Sequence, residues 1–166
     1  MPASFPDAYR RYVPPVRAKC RRLSIDGSLA EDIVQETFEK LLTKGPPLDS
    51  APATIMAWLY QTSTRLALDV LRTTKRRPTT TEPETMSALP CGLSGRVDAA
   101  LDARRSIIAL CKEMPAEELE AAVLVRVDGL TLPLAAEILG ISERTVRRML
   151  DRFDERTKTM RSEVTS

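Results

Sequence analysis

Between Pro78 and Val97 the chain reads PTTTEPETMSALPCGLSGRV, and this stretch constrains the fold more than any other. Its three prolines and two glycines interrupt helix and strand alike, and its hydroxyl-rich remainder offers little apolar face to bury. It reads as a flexible linker that would span roughly 25 Å as a random coil. A chain of 166 residues divided there leaves two small units, residues 1–78 and residues 98–166, with the linker at 79–97. Both flanking units carry helical periodicity, so the expected fold class is all-α.

In the first unit, helix is expected from about Asp7 to Leu23, broken or kinked at Pro14-Pro15. A second helix begins at Ser28-Leu29-Ala30-Glu31, which fits a capping box. Ile33, Val34, Phe38, Leu41 and Leu42 recur along it until Gly45-Pro46-Pro47 ends it. A third helix runs from about Ala53 to Arg76, closing in Lys75-Arg76-Arg77, where cations suit the C-terminal dipole. In the second unit, helices are expected at about 98–112, 115–127, 132–139 and 142–159.

The net charge of +2 implies no partner, but its distribution does. Residues 1–78 hold 13 basic and 8 acidic side chains, whereas residues 98–166 hold 11 basic and 13 acidic. There is no histidine, so an imidazole base and a mixed Cys/His zinc site are both excluded. Cys20, Cys91 and Cys111 are too scattered for a metal site or a disulfide framework. No carboxylate falls in a motif with a nucleophile, a base or a metal partner. No catalytic residue, metal, cofactor or small-molecule substrate is therefore expected. The N-terminus lacks a secretion signal and no apolar run is long enough to span a bilayer, so a cytoplasmic protein without membrane insertion is the default reading.

The most informative text is LPLAAEILGISERTVRRMLD, residues 132–151, within a helix-turn-helix expected over 131–159. Ala136 is small where the helices approach, Gly140 supplies the positive-φ turn, and Val146 locks the second helix. Thr131 and Ser142 are placed to cap its two helices. The outer side of the second helix carries Arg144, Thr145, Arg147, Arg148 and Arg152, with Arg156 beyond. Arginines there suit phosphate contacts or a fork onto guanine in the major groove. Asp151, Asp154 and Glu155 oppose this, since they would repel phosphate.

Two further faces stand out. On the second helix Asp32, Gln35, Glu36 and Glu39 form an acidic ridge around Phe38; by itself this reads equally as a solvated face over a core phenylalanine. On the third, Trp58, Gln61 and Arg65 precede the cationic Lys75, Arg76 and Arg77. Aromatic stacking with a cationic track is how single-stranded DNA is held, although Trp58 alone reads first as core.

Three segments resemble the extracytoplasmic-function subgroup of the sigma-70 family: LAEDIVQETFEKLL (29–42), AWLYQTSTRLALDVLRTTKRRP (57–78) and residues 114–152. Their order and spacing, and the missing middle domain, match this compact subgroup. The resemblance implies a region 2-like unit and a region 4-like helix-turn-helix unit, with core RNA polymerase and promoter DNA as partners. It implies that Asp32, Gln35, Glu36, Phe38 and Glu39 contact polymerase. It places Trp58, Gln61, Arg65, Lys75, Arg76 and Arg77 on the downstream promoter element, and Arg144, Thr145, Arg147, Arg148 and Arg152 on the upstream one. An anti-sigma factor, which in this family commonly clamps the two units together, is a further partner it admits.

The resemblance departs at Arg65, where the family usually has Asn, and at Gly45–Asp49, which lacks the usual Phe-Arg-Gly-like text. Met149, Asp151 and Asp154 also replace positions often held by Arg, His and Arg, lowering the expected phosphate affinity. Two alternatives follow from these departures: a stand-alone helix-turn-helix regulator, or a sigma-like protein-interaction module without transcription activity.

Overall fold

A computed structural model describes residues 4–25, 27–74 and 94–165, with the side chains of 94–101 and 164 excepted. Every regular element among them is helical. Residues 75–93, which hold most of the expected linker together with Lys75, Arg76, Arg77 and Cys91, lie outside the described residues.

The first three helices are α1 (Phe5–Arg22), α2 (Gly27–Lys44) and α3 (Pro52–Thr73). The expected break at Pro14-Pro15 does not occur; α1 remains one helix through both prolines. The carbonyls they leave unpaired belong to Arg10 and Arg11, both exposed, where water can satisfy them. Tyr12, Val13 and Val16, buried on the other side, hold the axis in place.

The capping box expected at Ser28 and Glu31 does not form either. The helix starts one residue earlier, at Gly27 with φ +55°, and Glu31 turns away to α1. There its carboxylate accepts from Arg17 Nε at 2.6 Å and Nη2 at 2.9 Å, a forked pair at the surface. A tertiary partner has outcompeted the local cap.

Val16, Val34, Phe38, Leu41, Ile55 and Leu59 meet in the core of this three-helix unit. Phe38 packs edge-on to Tyr9 at 4.9 Å between ring centroids and to Phe5 at 6.5 Å. In the loop after α2, Leu48 anchors against the same core. A Cβ at Gly45 would lie 2.5 Å from the Leu41 carbonyl oxygen, so only glycine fits that exit.

The second unit comprises α4 (Ser94–Glu113), α5 (Ala116–Ala122), α6 (Leu132–Leu139) and α7 (Glu143–Thr165). The single helix expected over 115–127 widens at Val123 into a π-helical turn, Val123–Val127. Asp128 N donates to the Val123 carbonyl and Leu130 N to that of Leu124, each at 3.0 Å, and Gly129 takes φ +71°. Helix α7 continues beyond the expected end near Thr159, to Thr165.

The two units are packed together. Cys20, Leu23, Ile25, Ile33, Ala67, Leu68 and Leu71 from the first share one buried cluster with Cys111, Met114, Leu119 and Val123 from the second. Burial pushes the Cys111 thiol up to about 11 and shifts Cys20 in the same direction, so both are neutral thiols near pH 7. Neither is expected to react with a maleimide at neutral pH while the units stay together; rapid labelling of the native protein would contradict this packing.

Candidate nucleic-acid and polymerase interfaces

The helix-turn-helix is built as its sequence indicates. Thr131 Oγ1 accepts from Leu134 N at 3.4 Å and Ser142 Oγ from Thr145 N at 3.1 Å, capping α6 and α7. Ala135, Ala136, Val146 and Leu150 form its buried seam. Gly140 sits at φ +67°, ψ 31° with open space around its missing side chain. Gly140→Ala should therefore cost only the backbone penalty of a left-handed residue, about 1–2 kcal/mol. Denaturant unfolding would read this loss, and Gly140→Asn should recover part of it.

On the outer face of α7, Arg144, Arg147, Arg148 and Arg152 are exposed. Arg147 Nη2 lies 3.7 Å from Glu143, one turn away, and Thr145 shares a 2.9 Å hydroxyl hydrogen bond with Ser142. Arg156 is committed elsewhere: its Nε is 3.0 Å from the buried Glu118 of α5. It braces the second unit and is not part of the free face.

Asp154 is also committed, and this answers part of the electrostatic objection to DNA binding. Its carboxylate receives both Nη groups of Arg126, one of them at 2.7 Å. The guanidinium holds Asp154 below the usual aspartate range, while the carboxylate raises Arg126. Asp154 therefore stays ionised and paired above the ordinary carboxylate pKa, and the pair is lost as pH falls through the lowered one. Arg126→Ala should free this negative charge and weaken duplex binding several-fold. Arg126→Ala with Asp154→Ala should restore it, as measured by fluorescence anisotropy on a labelled duplex.

The ridge on α2 is exposed at Asp32, Gln35, Glu36 and Glu39, which line a shallow groove with Lys40, Thr43 and Lys44. Gln35 Nε2 donates to Glu39 at 3.0 Å and Lys40 pairs with Glu36 at 2.8 Å, so the polar groups form a continuous strip. Phe38, named with this ridge from the sequence, is only 1% exposed. It supports the ridge from beneath rather than presenting its ring on the surface.

Trp58 and Gln61 are half-buried, Trp58 against the core of the first unit. The Arg65 side chain is 60% exposed, but its Nε donates to Glu120 of α5 at 3.0 Å. Nearby, Lys19 of α1 is 1% exposed, and the side chain of Asp128, which follows the π-helical turn, is fully buried. Lys19 Nζ donates to Asp128, to Thr64 and to the Tyr60 carbonyl at 2.9 Å, and Arg22 reaches Asp128 at 3.2 Å. Burial lowers the Lys19 pKa against the opposing pull of Asp128.

Sequence reasoning missed Lys19, Glu120, Arg126 and Asp128. Lys19 stands in the basic run RAKCRR and Asp128 precedes a glycine, so they read as a solvated face and a turn. Among the described residues no group of three metal-ligating side chains occurs, and no helix is long and apolar enough to cross a membrane.

The sigma-70 region 2 family matches residues 8–77, and a homeodomain-like domain family matches residues 114–158. The RNA polymerase sigma factor CarQ of Myxococcus xanthus is 25% identical across 97% of this chain and 91% of its own length. The ECF RNA polymerase sigma factor SigJ of Mycobacterium tuberculosis is 36% identical across 74% of this chain. The probable RNA polymerase sigma factor RfaY of Xanthomonas campestris is 28% identical across 82% of it. The chain covers 40% of the SigJ relative and 35% of the RfaY relative.

An exposed polar ridge on one helical unit and a helix-turn-helix on the next are thus carried by one chain. The chain carries a sigma-70 region 2 match and a homeodomain-like match, and it is similar to proteins named RNA polymerase sigma factors, some of them of the extracytoplasmic-function subgroup.

Proposed function

We propose that this chain binds bacterial core RNA polymerase and directs it to promoters, with residues 1–78 docking and engaging the downstream element and residues 98–166 reading the upstream one. The observation that carries the reading is the pairing, in one chain, of the exposed strip Asp32, Gln35, Glu36 and Glu39 with the exposed outer arginines of α7. In this reading Asp32, Gln35 and Glu36 form polar contacts with polymerase, and Arg144, Arg148 and Arg152 meet DNA beside Arg147 and Thr145. Trp58, Gln61, Arg65, Lys75, Arg76 and Arg77 face the opened downstream strand. Polymerase performs the chemistry, so no enzymatic step, metal or cofactor is assigned here. The cytoplasm, where bacterial polymerase works, is the compartment this reading requires.

The test is a pull-down on purified core polymerase. The parent chain should be retained, and Asp32→Ala with Gln35→Ala should lower retention at least about tenfold, as expected for loss of polar hot-spot contacts. Equal retention of both proteins would overturn the docking assignment. A stand-alone regulator is the second reading, favoured by the engagement of Arg65 with Glu120. It predicts a duplex footprint without polymerase and no transcript with it.

A further inference from the structure

Three contacts between the units converge on α3 and its neighbours. Glu120 sits on Arg65, the Cys111 carbonyl accepts from Arg72 Nε at 3.1 Å, and Asp128 is buried against Lys19, which is itself bonded to Thr64 and the Tyr60 carbonyl of α3. The shared apolar cluster lies with them, joining Ala67, Leu68 and Leu71 of α3 to Met114, Leu119 and Val123. This is the helix assigned above to the opened promoter strand. Its one exposed, anion-seeking side chain among the described residues proposed for that strand is therefore already occupied by a carboxylate. From this juxtaposition we infer that the second unit is a built-in cover for the strand-binding face of α3. Glu120 holds the place of a DNA phosphate on Arg65, and the Lys19–Asp128 pair latches the cover shut.

The chemistry of the latch explains why it can open. Arg65 keeps its side chain 60% exposed while Glu120 is buried, so the guanidinium can turn to a phosphate without leaving solvent, and the single bond between them is weaker than a fully buried pair. The Lys19–Asp128 pair carries a desolvation penalty that its Coulombic attraction must offset, and this is relieved when water enters. Asp128 directly follows the π-helical turn, its N–H donating to the Val123 carbonyl at 3.0 Å, and its side chain is buried against Lys19 of α1. Arg22 at the rim, 3.2 Å from Asp128, gives the carboxylate a second partner and biases the pair towards the closed arrangement.

The inference rests on the sigma-factor reading for the identity of the DNA, but the opening itself is measurable without polymerase. The experiment uses the full chain carrying Cys91→Ser, so that only Cys20 and Cys111 of the shared cluster report. Maleimide labelling is followed in this parent, in Asp128→Asn, and in Glu120→Arg, which leaves the buried pair intact and sets two cations against each other. A Lys19→Met, Asp128→Leu double variant removes both latch charges without orphaning either. Binding of a single-stranded oligonucleotide of roughly 12 nucleotides is measured on the same proteins.

Asp128→Asn should label at least about tenfold faster than the parent, because it leaves a buried ammonium unpaired. It should also bind the oligonucleotide more tightly at unchanged helical content. Glu120→Arg should strengthen oligonucleotide binding in the same way, and the double variant should label as slowly as the parent. Labelling of Asp128→Asn and Glu120→Arg at the parent rate would overturn the latch. Faster labelling without tighter oligonucleotide binding would overturn the cover and leave the contact purely structural. Should Asp128→Asn lose its helical content, Glu120→Arg decides alone by the same two readings. Failure of the parent to bind core polymerase would count against the sigma-factor reading, whereas these two readings would still decide the cover.

Discussion

Phe38→Ala is expected to destabilise the chain by about 3–5 kcal/mol, the usual cost of emptying a buried aromatic site. The ring is 1% exposed and is clamped between Val34 and Leu41 on its own helix and the rings of Tyr9 and Phe5 from α1. Its neighbours come from both α1 and α2, so they cannot close the void without moving one helix against the other. At about 2–4 °C per kcal/mol for a chain of this size, the loss should be plain in a thermal melt. Phe38→Leu keeps most of the volume and should cost only about 1 kcal/mol. The pair of variants also separates two roles. If the ring supports the ridge from beneath, Phe38→Leu binds polymerase as the parent does. If it touches polymerase, Phe38→Leu loses binding out of proportion to its stability.

Arg147→Ala combined with Arg148→Ala should weaken duplex binding at least about tenfold, with no comparable loss of stability. Both side chains are exposed, and only Arg147 has a protein partner, a weak surface pair with Glu143 at 3.7 Å. If both meet phosphates, the loss is uniform across sequences and the slope of log K against log salt becomes shallower by about two. If either forks onto guanine, the loss concentrates at particular base pairs. Asp154 does not cancel the effect, because Arg126 already holds it.

The helix-turn-helix was legible almost residue by residue. Its determinants are local: a hydroxyl at each cap, a small residue at the crossing, and a glycine where φ must be positive. All of these operate within a few residues of sequence. Helix α1 shows where local rules give way, since buried Tyr12, Val13 and Val16 keep it helical through two prolines. The Ser28 cap failed for a related reason, because Arg17, 14 residues away from Glu31, offers that carboxylate a better partner. The least legible feature is the contact between the units. Lys19 and Asp128 are 109 positions apart, and no periodicity in either segment announces that a lysine and an aspartate will be buried together. Pairings of that range depend on how whole helices dock, and the Pro- and Gly-rich text between the units pointed toward separation.

Run-off transcription with purified core polymerase on a promoter library tests the central claim most directly. The parent chain should yield discrete transcripts from a subset of templates sharing an upstream and a downstream element. Asp32→Ala with Gln35→Ala should abolish them all, and Arg147→Ala with Arg148→Ala should reduce them through the upstream element. Absence of any template-specific transcript from the parent, with core polymerase active beside a known sigma factor, would contradict the account.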